Sequence, residues 1–206
     1  MKLLLRCKGV VAASFFCAAA VLSPRPADAQ TIYTVKPVAQ KKITELPVGP
    51  LFWRVENFQT LADAKVAIGP DGWNPASVRY ETTTSLIAEV DGKVWVCTLG
   101  AKGASTPGGV KVAEVGPVTV VAAPEYLLRI NEGSGPPGSE SFYVIAGELG
   151  QRTPRGVMRV EAGHTMNGHE AGMPMQVFNS GTTKLTALIM FVVDASKPFS
   201  EPAKLN

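Results

Sequence analysis

The side chains best suited to chemistry are concentrated in the last third of the chain. Both histidines and three of the methionines fall within twelve residues, namely His164, Met166, His169, Met173 and Met175. Imidazole and thioether groups together favour copper, so this segment is one hypothesis for a metal site. Residues 164 and 169 would nevertheless face opposite ways along one extended strand. Turn-exposed histidines and core methionines explain the same pattern without a metal.

Other catalytic arrangements find little support in the sequence. With no histidine outside positions 164 and 169, a histidine-based triad has few options. We find no phosphate-binding glycine loop and no cysteine pair of the zinc-binding type. Cys97 lies in a strand-like run over 94–99 and is predicted to be a small buried apolar side chain.

The first 29 residues have the three-part pattern of a secretory signal peptide. Lys2, Arg6 and Lys8 precede an apolar run over 9–22, which is too short to span a bilayer as a helix. Cleavage after Ala29 would leave Gln30 as the new N-terminus and place the mature protein in the periplasm or outside the cell. An uncleaved membrane anchor is the alternative.

Removal of this segment changes both the charge and the cysteine content. The segment carries four basic residues and one acidic residue, so 16 of each remain and the mature chain is neutral. A neutral chain with scattered charges gives no reason to expect nucleic acid or a membrane surface as a partner. Cys7 and Cys17 leave with the segment, so Cys97 has no internal partner and a hydrophobic core must stabilise the fold.

The sequence of the mature chain predicts mainly strands and one helix. Residues 30–50 look like an extended, proline-punctuated arm. A helix over 60–67 is predicted from Thr60 as N-cap, with Asp63 three residues later and a Gly-Pro stop signal at 69–72. Asp91-Gly92 predicts a tight hairpin between strands at 85–90 and 93–99. Further short strands are predicted at 51–58, 110–115, 118–122, 126–130, 142–146, 156–160, 175–178 and 184–193.

Two segments resemble the conserved motifs of the cupin family. Residues 140–147, Glu-Ser-Phe-Tyr-Val-Ile-Ala-Gly, fit the second half of the first cupin motif, from its glutamate to its glycine. Residues 172–179 keep the glycine and asparagine of the second motif at their proper separation. Met175 stands where that motif has histidine, and Glu170 stands near its usual proline. The resemblance covers roughly residues 126–194.

The resemblance implies a divalent metal held by three histidines and a glutamate, and most of these are missing here. Counting back from Glu140 places the first histidine pair on Gly133 and Gly135, or on Ser134 and Pro136. The loop over 133–139 also looks short, as if the histidine-bearing segment were deleted. One carboxylate and one thioether suit neither hard nor borderline ions, so we expect no cofactor. Without a metal, an inward-facing Glu140 would have a raised pKa or pair with an arginine (Arg129, Arg152 or Arg159), and a solvated position at the barrel mouth is the alternative.

We therefore expect an all-β fold, a cupin-type double-stranded β-helix or jelly-roll barrel with a short N-terminal helix and additional strands. The expected organisation is a signal peptide (1–29), an N-terminal β-rich extension packing on the barrel (30–116), the cupin barrel (117–195) and a C-terminal tail (196–206). Cupins often form dimers, so a homodimer is an open option.

The sequence is compatible with three functions. The first is binding of a small organic ligand, of unknown identity, in the barrel without a metal, through Glu140, Phe142, Met175 and Asn179. The second is a metal-dependent cupin enzyme of the dioxygenase or isomerase type with an unconventional ligand set. The third is copper binding by the segment from His164 to Met175. For a divalent metal or copper, the candidate ligands are Glu140, His164, His169 and Met175, and no catalytic residue follows from the sequence.

Overall fold

Three antiparallel β-sheets and one short helix make up the described part of the chain. The structure is a computed structural model that describes residues 36–69, 82–132, 140–168 and 173–199. The predicted signal peptide, the 133–139 loop, His169, Glu170 and Gly172 of the second motif, and the end of the tail lie outside these ranges. In the described ranges, no helix is long and apolar enough to cross a bilayer.

The elements are numbered in chain order. The helix α1 spans Leu61–Ile68, and a short 3-10 turn spans Thr82–Thr84. The strands are β1 (Lys36–Ile43), β2 (Phe52–Phe58), β3 (Ser85–Val90), β4 (Lys93–Gly100), β5 (Val110–Val115), β6 (Tyr126–Glu132), β7 (Glu140–Ala146), β8 (Glu148–Thr153), β9 (Gly156–Glu161), β10 (Thr165–Asn167), β11 (Gln176–Asn179) and β12 (Thr186–Asp194).

A central sheet in the order β1-β6-β12-β7-β10 is covered on both faces. The N-terminal sheet has the order β3-β4-β2-β5, and the C-terminal sheet has the order β11-β8-β9. Strand β12 reads TALIMFVVD, a nearly unbroken apolar run, because each of its faces packs against a different sheet. Leu188, Met190 and Val192 face the N-terminal sheet, whereas Ile189 and Phe191 face the C-terminal sheet.

Each sheet interface contains its own hydrophobic core. The N-terminal core, between the central and N-terminal sheets, includes Trp53, Trp95, Leu128, Tyr143 and Met190, and the Trp95 and Tyr143 rings lie 5.7 Å apart. The C-terminal core, between the central and C-terminal sheets, consists of Phe142, Val144, Leu149, Met166, Val177, Ala187, Ile189 and Phe191. Any polar group that enters the C-terminal core is therefore surrounded by apolar side chains.

The helix and the hairpin that were predicted from local sequence signals are confirmed. Helix α1 begins after Thr60, whose hydroxyl accepts a hydrogen bond from the Asp63 amide at 3.0 Å, and it ends at Gly69. Asp91 and Gly92 both have positive φ (54° and 68°), as the predicted two-residue hairpin requires. Both features depend only on residues that are close together in the chain.

Several strand predictions were wrong. The predicted arm over 30–50 contains β1, a polar edge strand that pairs with β6. Residues 118–122 form no strand, although Val118 donates a backbone hydrogen bond to Leu51 and packs on the N-terminal core. Strands β8 and β10 were not predicted at all.

The mostly β fold with a short helix is confirmed, but closure of the barrel is not observed. Within the described ranges, no ladder of paired strands joins one sheet to another. The helix packs through Ala64, Ala67 and Ile68 on the outer face of the N-terminal sheet, away from the C-terminal core.

Candidate functional site

One wall of the site is the inner face of the central sheet. Glu140, the first residue of β7, lies opposite Phe191 of β12, which in turn lies opposite Arg129 of β6. Directly opposed residues of antiparallel strands project from the same face. Arg129, Phe191 and Glu140 therefore all project toward the C-terminal sheet, and Glu140 is only 3% exposed.

The facing wall is a row of side chains across the C-terminal sheet. Gln151 of β8 lies between Val177 of β11 and Met158 of the edge strand β9. Val177 and Gln151 are buried, whereas Met158 is 44% exposed. This row of side chains thus extends from the C-terminal core at Val177 to solvent at Met158 of β9.

Glu140, Gln151 and Met175 form a polar cluster between these walls. The Gln151 amide nitrogen donates to Glu140 Oε1 at 3.3 Å and to Met175 Sδ at 3.2 Å. Two buried oxygens of the cluster, Glu140 Oε2 and Gln151 Oε1, have no hydrogen-bond partner among the described residues. The buried side-chain nitrogen of Asn131, Nδ2, also lacks a hydrogen-bond partner among the described residues, and Asn131 projects from the same face of the central sheet as Arg129.

Burial determines the electrostatics of Glu140. Desolvation raises the pKa of its carboxyl well above the ordinary value of 4.5, and the hydrogen bond from Gln151 opposes this shift. The backbone amide of Gly168 donates to the Glu140 carbonyl at 2.6 Å, and a Cβ at position 168 would collide with Glu140. The chain therefore packs directly over Glu140 on this side.

Of the three expectations for Glu140, the raised pKa agrees with the burial of its side chain. The residue makes no ion pair with a described arginine, and its burial contradicts a solvated position. Arg159 instead lies 3.8 Å from Glu148. Arg129 donates from Nε to Asn131 Oδ1 at 2.8 Å, and its guanidinium lies 4.0 Å from the centre of the Phe199 ring. Burial lowers the pKa of Arg129.

The other predicted site residues are distributed between the core and the surface. Phe142 is fully buried in the C-terminal core, and Met175 contacts Gln151. The Asn179 amide donates to the Thr183 carbonyl at 2.7 Å and accepts from the Gly181 amide, so it orders the turn before β12. His164 is exposed on the turn between β9 and β10, away from the buried cluster.

Sequence reasoning missed two residues, Gln151 and Asn131. Gln151 lies in β8, a strand whose Glu-Leu-Gly-Gln-Arg-Thr sequence lacks β-branched residues except at its last position. Leu149 and Thr153 flank Gln151 at alternate positions and are also buried, which is the signal that could have marked its inward face. Asn131 carries no comparable signal, because its burial depends on β12, more than fifty residues later in the chain.

The residues present do not fit the divalent metal that the cupin resemblance implies. The buried donors are one carboxyl with a raised pKa, one amide oxygen and one thioether, a set that no common divalent ion prefers. No group of three histidine, cysteine, aspartate or glutamate side chains comes together within the described ranges.

No protein-family model, no curated protein and no solved structure matches the chain.

Proposed function

We propose that this chain is an exported, cupin-type jelly-roll protein that binds a small organic ligand between its central and C-terminal sheets without a metal ion. Export is inferred from the pattern of residues 1–29. The proposed ligand-binding residues are Glu140 and Gln151.

Strand pairing supports the jelly-roll part of the proposal. Strand β6 pairs with β12, β7 with β10, and β8 with β9, so the pairs are nested from the ends of the segment inward. In addition, β12 lies beside β7 and β11 lies beside β8. This is the order expected when one long antiparallel hairpin is rolled into two facing sheets, as in jelly rolls.

The observation that carries the binding proposal is the set of buried polar atoms without partners. Glu140 Oε2 and Gln151 Oε1 belong to two side chains that are joined by a hydrogen bond and lie in an otherwise apolar core. Each unsatisfied buried group costs about 1–3 kcal/mol, so folded proteins rarely retain two of them on neighbouring side chains without a use. A ligand that supplies the missing hydrogen bonds recovers this free energy on binding.

A screen of the mature protein, beginning at Gln30, tests the proposal. Bound metals are measured by elemental mass spectrometry, and a library of small carboxylic acids, amides, phenols and sugars is screened by thermal shift. We expect no stoichiometric metal and at least one compound class that raises the melting temperature. The variants Gln151→Leu and Gln176→Leu form a matched pair. They make the same change in the C-terminal sheet, at a buried position and at an exposed position respectively. Only Gln151→Leu should abolish the shift.

Other results would point elsewhere. Stoichiometric Fe, Mn, Ni or Zn would contradict the proposal and favour a metal-dependent enzyme. Stoichiometric copper that is lost in a His164→Ala/His169→Ala variant would favour copper binding. Compounds that stabilise both glutamine variants equally would show that the site is not the Glu140–Gln151 cluster.

A further inference from the structure

We infer that strand β9 pairs with β9 of a second copy of this chain, in the antiparallel register that places Met158 opposite its own copy. The two three-stranded C-terminal sheets then form one continuous sheet across a two-fold axis. This interface lies at the exposed edge of the C-terminal sheet and does not depend on the ligand proposed above.

Strand β9 lies at the edge of its sheet and exposes apolar surface there. Among the described residues it pairs with β8 alone. Five of its six residues are exposed, and they include two adjacent large apolar side chains, Val157 (49% exposed) and Met158 (44% exposed). Successive residues of a strand point to opposite faces, so both faces of this edge expose an apolar side chain. Such an edge is a template for pairing with another chain.

The other edge strands of the described sheets carry features that hinder such pairing. Strand β1 is rich in lysine and has an irregular register beside Pro37, and β5 has an irregular register against β2. Strand β3 is mostly buried, and β10 and β11 are only three and four residues long. Strand β9 instead pairs with β8 in an unbroken register, and its two charged residues, Arg159 and Glu161, have opposite signs. This edge therefore lacks the usual protection against self-association.

A backbone hydrogen bond just beyond β9 shows which groups of the strand point outward. The Ala162 amide donates to the Gly147 carbonyl at 3.1 Å, and this pair continues the register of β8 with β9. Hydrogen-bonded pairs alternate along an antiparallel ladder. The backbone groups directed toward β8 are therefore those of Gly156, Met158 and Val160. The groups that point to the exposed edge are those of Val157, Arg159 and Glu161.

Two-fold symmetry leaves few registers for two copies of β9. In an antiparallel pair of identical strands, the axis passes between one residue and its own copy. An axis at Val157 places Arg155 opposite Arg159 of the second copy, and an axis at Arg159 places the two Arg159 side chains opposite each other. Like charges in direct opposition are destabilising. An axis at Val160 pairs only the last three residues of the strand.

The register centred on Met158 brings complementary groups together. Arg155 lies opposite Glu161 of the second copy, and neither makes an ion pair with a described residue of its own chain. Val157 lies opposite Arg159, and both direct their backbone groups outward, so they form hydrogen-bonded pairs on either side of the axis. Met158 meets its own copy in a non-hydrogen-bonded pair, where side chains approach most closely. The pairing therefore covers both exposed apolar side chains.

Cysteine cross-linking tests the interface and its register together. In Met158→Cys the two thiols face each other across a non-hydrogen-bonded pair, whose Cα atoms lie about 4.5 Å apart and within reach of a disulfide. In the matched control Val157→Cys, the two thiols are diagonal neighbours about 7–8 Å apart, which is too far. Cys97 is completely buried and does not compete. In mild oxidant we expect the mature Met158→Cys protein to form a covalent dimer at least about tenfold faster than Val157→Cys.

Charge exchange tests the same register without a new cysteine. Sedimentation velocity measures the dissociation constant of the mature dimer. Arg155→Glu and Glu161→Arg each place like charges opposite each other twice, once on each side of the axis, and each should weaken the dimer by about threefold or more. The double variant Arg155→Glu/Glu161→Arg restores opposite charges and should regain the wild-type dissociation constant. Circular dichroism and melting temperature establish that each variant is folded.

Three results would overturn the inference. The first is a mature protein that sediments as a monomer at every concentration tested. The second is cross-linking of Val157→Cys that is as fast as that of Met158→Cys, or faster, since either rate would mean that Met158 does not lie opposite its own copy. The third is a double charge variant that dimerises no more tightly than its two single variants.

Discussion

A carboxylic acid in an apolar core links the stability of this protein to pH. The pKa of Glu140 is raised in the folded chain, so the native state holds the proton more tightly than the unfolded state does. Its contribution to stability is fully present below the ordinary pKa of 4.5 and is lost as pH rises through the folded-state pKa. The burial of Glu140 therefore destabilises the protein in alkaline solution.

Substitution of Glu140 by glutamine should remove this dependence. The free energy of unfolding of wild type should decline as pH rises above the ordinary carboxyl pKa of 4.5, by about 1.4 kcal/mol for each pH unit over which Glu140 stays protonated only in the native state. Glu140→Gln should give a flatter profile and be the more stable protein at the alkaline end. Urea unfolding across this range makes the comparison, and parallel profiles would contradict it.

A second buried carboxylate, Glu56, depends on a different kind of partner. It is fully buried, lies 3.7 Å from the guanidinium of the equally buried Arg54, and accepts from both the amide and the hydroxyl of Thr106. Glu56→Gln should cost roughly 3–5 kcal/mol of unfolding free energy, because the Arg54 charge would remain buried and uncompensated.

The matched control for this change is Glu125→Gln. Glu125 pairs with Lys42 at the shorter distance of 2.8 Å, but both side chains are exposed. Solvent screening limits such a pair to about 0–1 kcal/mol. Urea titration of both variants tests whether burial rather than distance determines the loss, and equal losses would refute that explanation.

The single cysteine of the mature chain should be inert while the protein is folded. Cys97 is completely buried in the N-terminal core, and burial, followed by the charge of Glu56, raises the pKa of its thiol. We expect no reaction with Ellman's reagent at about pH 8 in the native protein and stoichiometric reaction in denaturant. Reaction in native buffer faster than global unfolding would contradict the assigned burial.

Among the elements, the turn between β7 and β8 requires a glycine. Gly147 has a φ of 78°, and a Cβ there would lie 2.7 Å from the Lys184 carbonyl oxygen and 2.9 Å from Leu185 Cα. Gly163, in the turn after β9, has a similar φ of 82°, and a Cβ there would have no atom within 4 Å. The two turns share a backbone conformation and differ in what surrounds them.

Alanine substitutions at these glycines separate backbone strain from collision. Gly163→Ala should lower the unfolding free energy by about 1 kcal/mol through its left-handed φ alone. Gly147→Ala should cost at least about 2 kcal/mol, since the backbone of residues 184–185 must also move. Denaturant midpoints measure both effects. A Gly163→Ala loss as large as that of Gly147→Ala would mean that the contact with 184–185 is unimportant.

The same contrast explains how far the sequence could predict the elements. Thr60 and Asp63, or Asp91 and Gly92, encode a helix cap and a hairpin within four residues, and both are observed. Strand β1 was missed because its polar residues are typical of an exposed edge, and only pairing with β6, about ninety residues away, makes it a strand.

The candidate site was harder to predict than the elements. Glu140 was recognised because it fits the glutamate of the first cupin motif, but its partner Gln151 comes from β8, which was not predicted as a strand. The cluster exists because the central and C-terminal sheets face each other, and this is a long-range property of the fold that spacing along the chain does not encode.

At the scale of the whole molecule, β12 couples the two cores. Leu188 and Ile189 are adjacent and fully buried, yet Leu188 belongs to the N-terminal core and Ile189 to the C-terminal core. A rigid strand shared by both cores favours unfolding of the three sheets in one cooperative transition.

Truncation of either residue tests this coupling. Leu188→Ala and Ile189→Ala should each lower the unfolding free energy by about 2–5 kcal/mol. In a Trp73→Phe background the remaining tryptophans, Trp53 and Trp95, report on the N-terminal core, whereas far-ultraviolet circular dichroism reports on all strands. For Ile189→Ala, which faces the other core, the fluorescence and circular dichroism midpoints should shift together. A shift in circular dichroism alone would mean that the N-terminal sheet remains folded when the C-terminal core is lost.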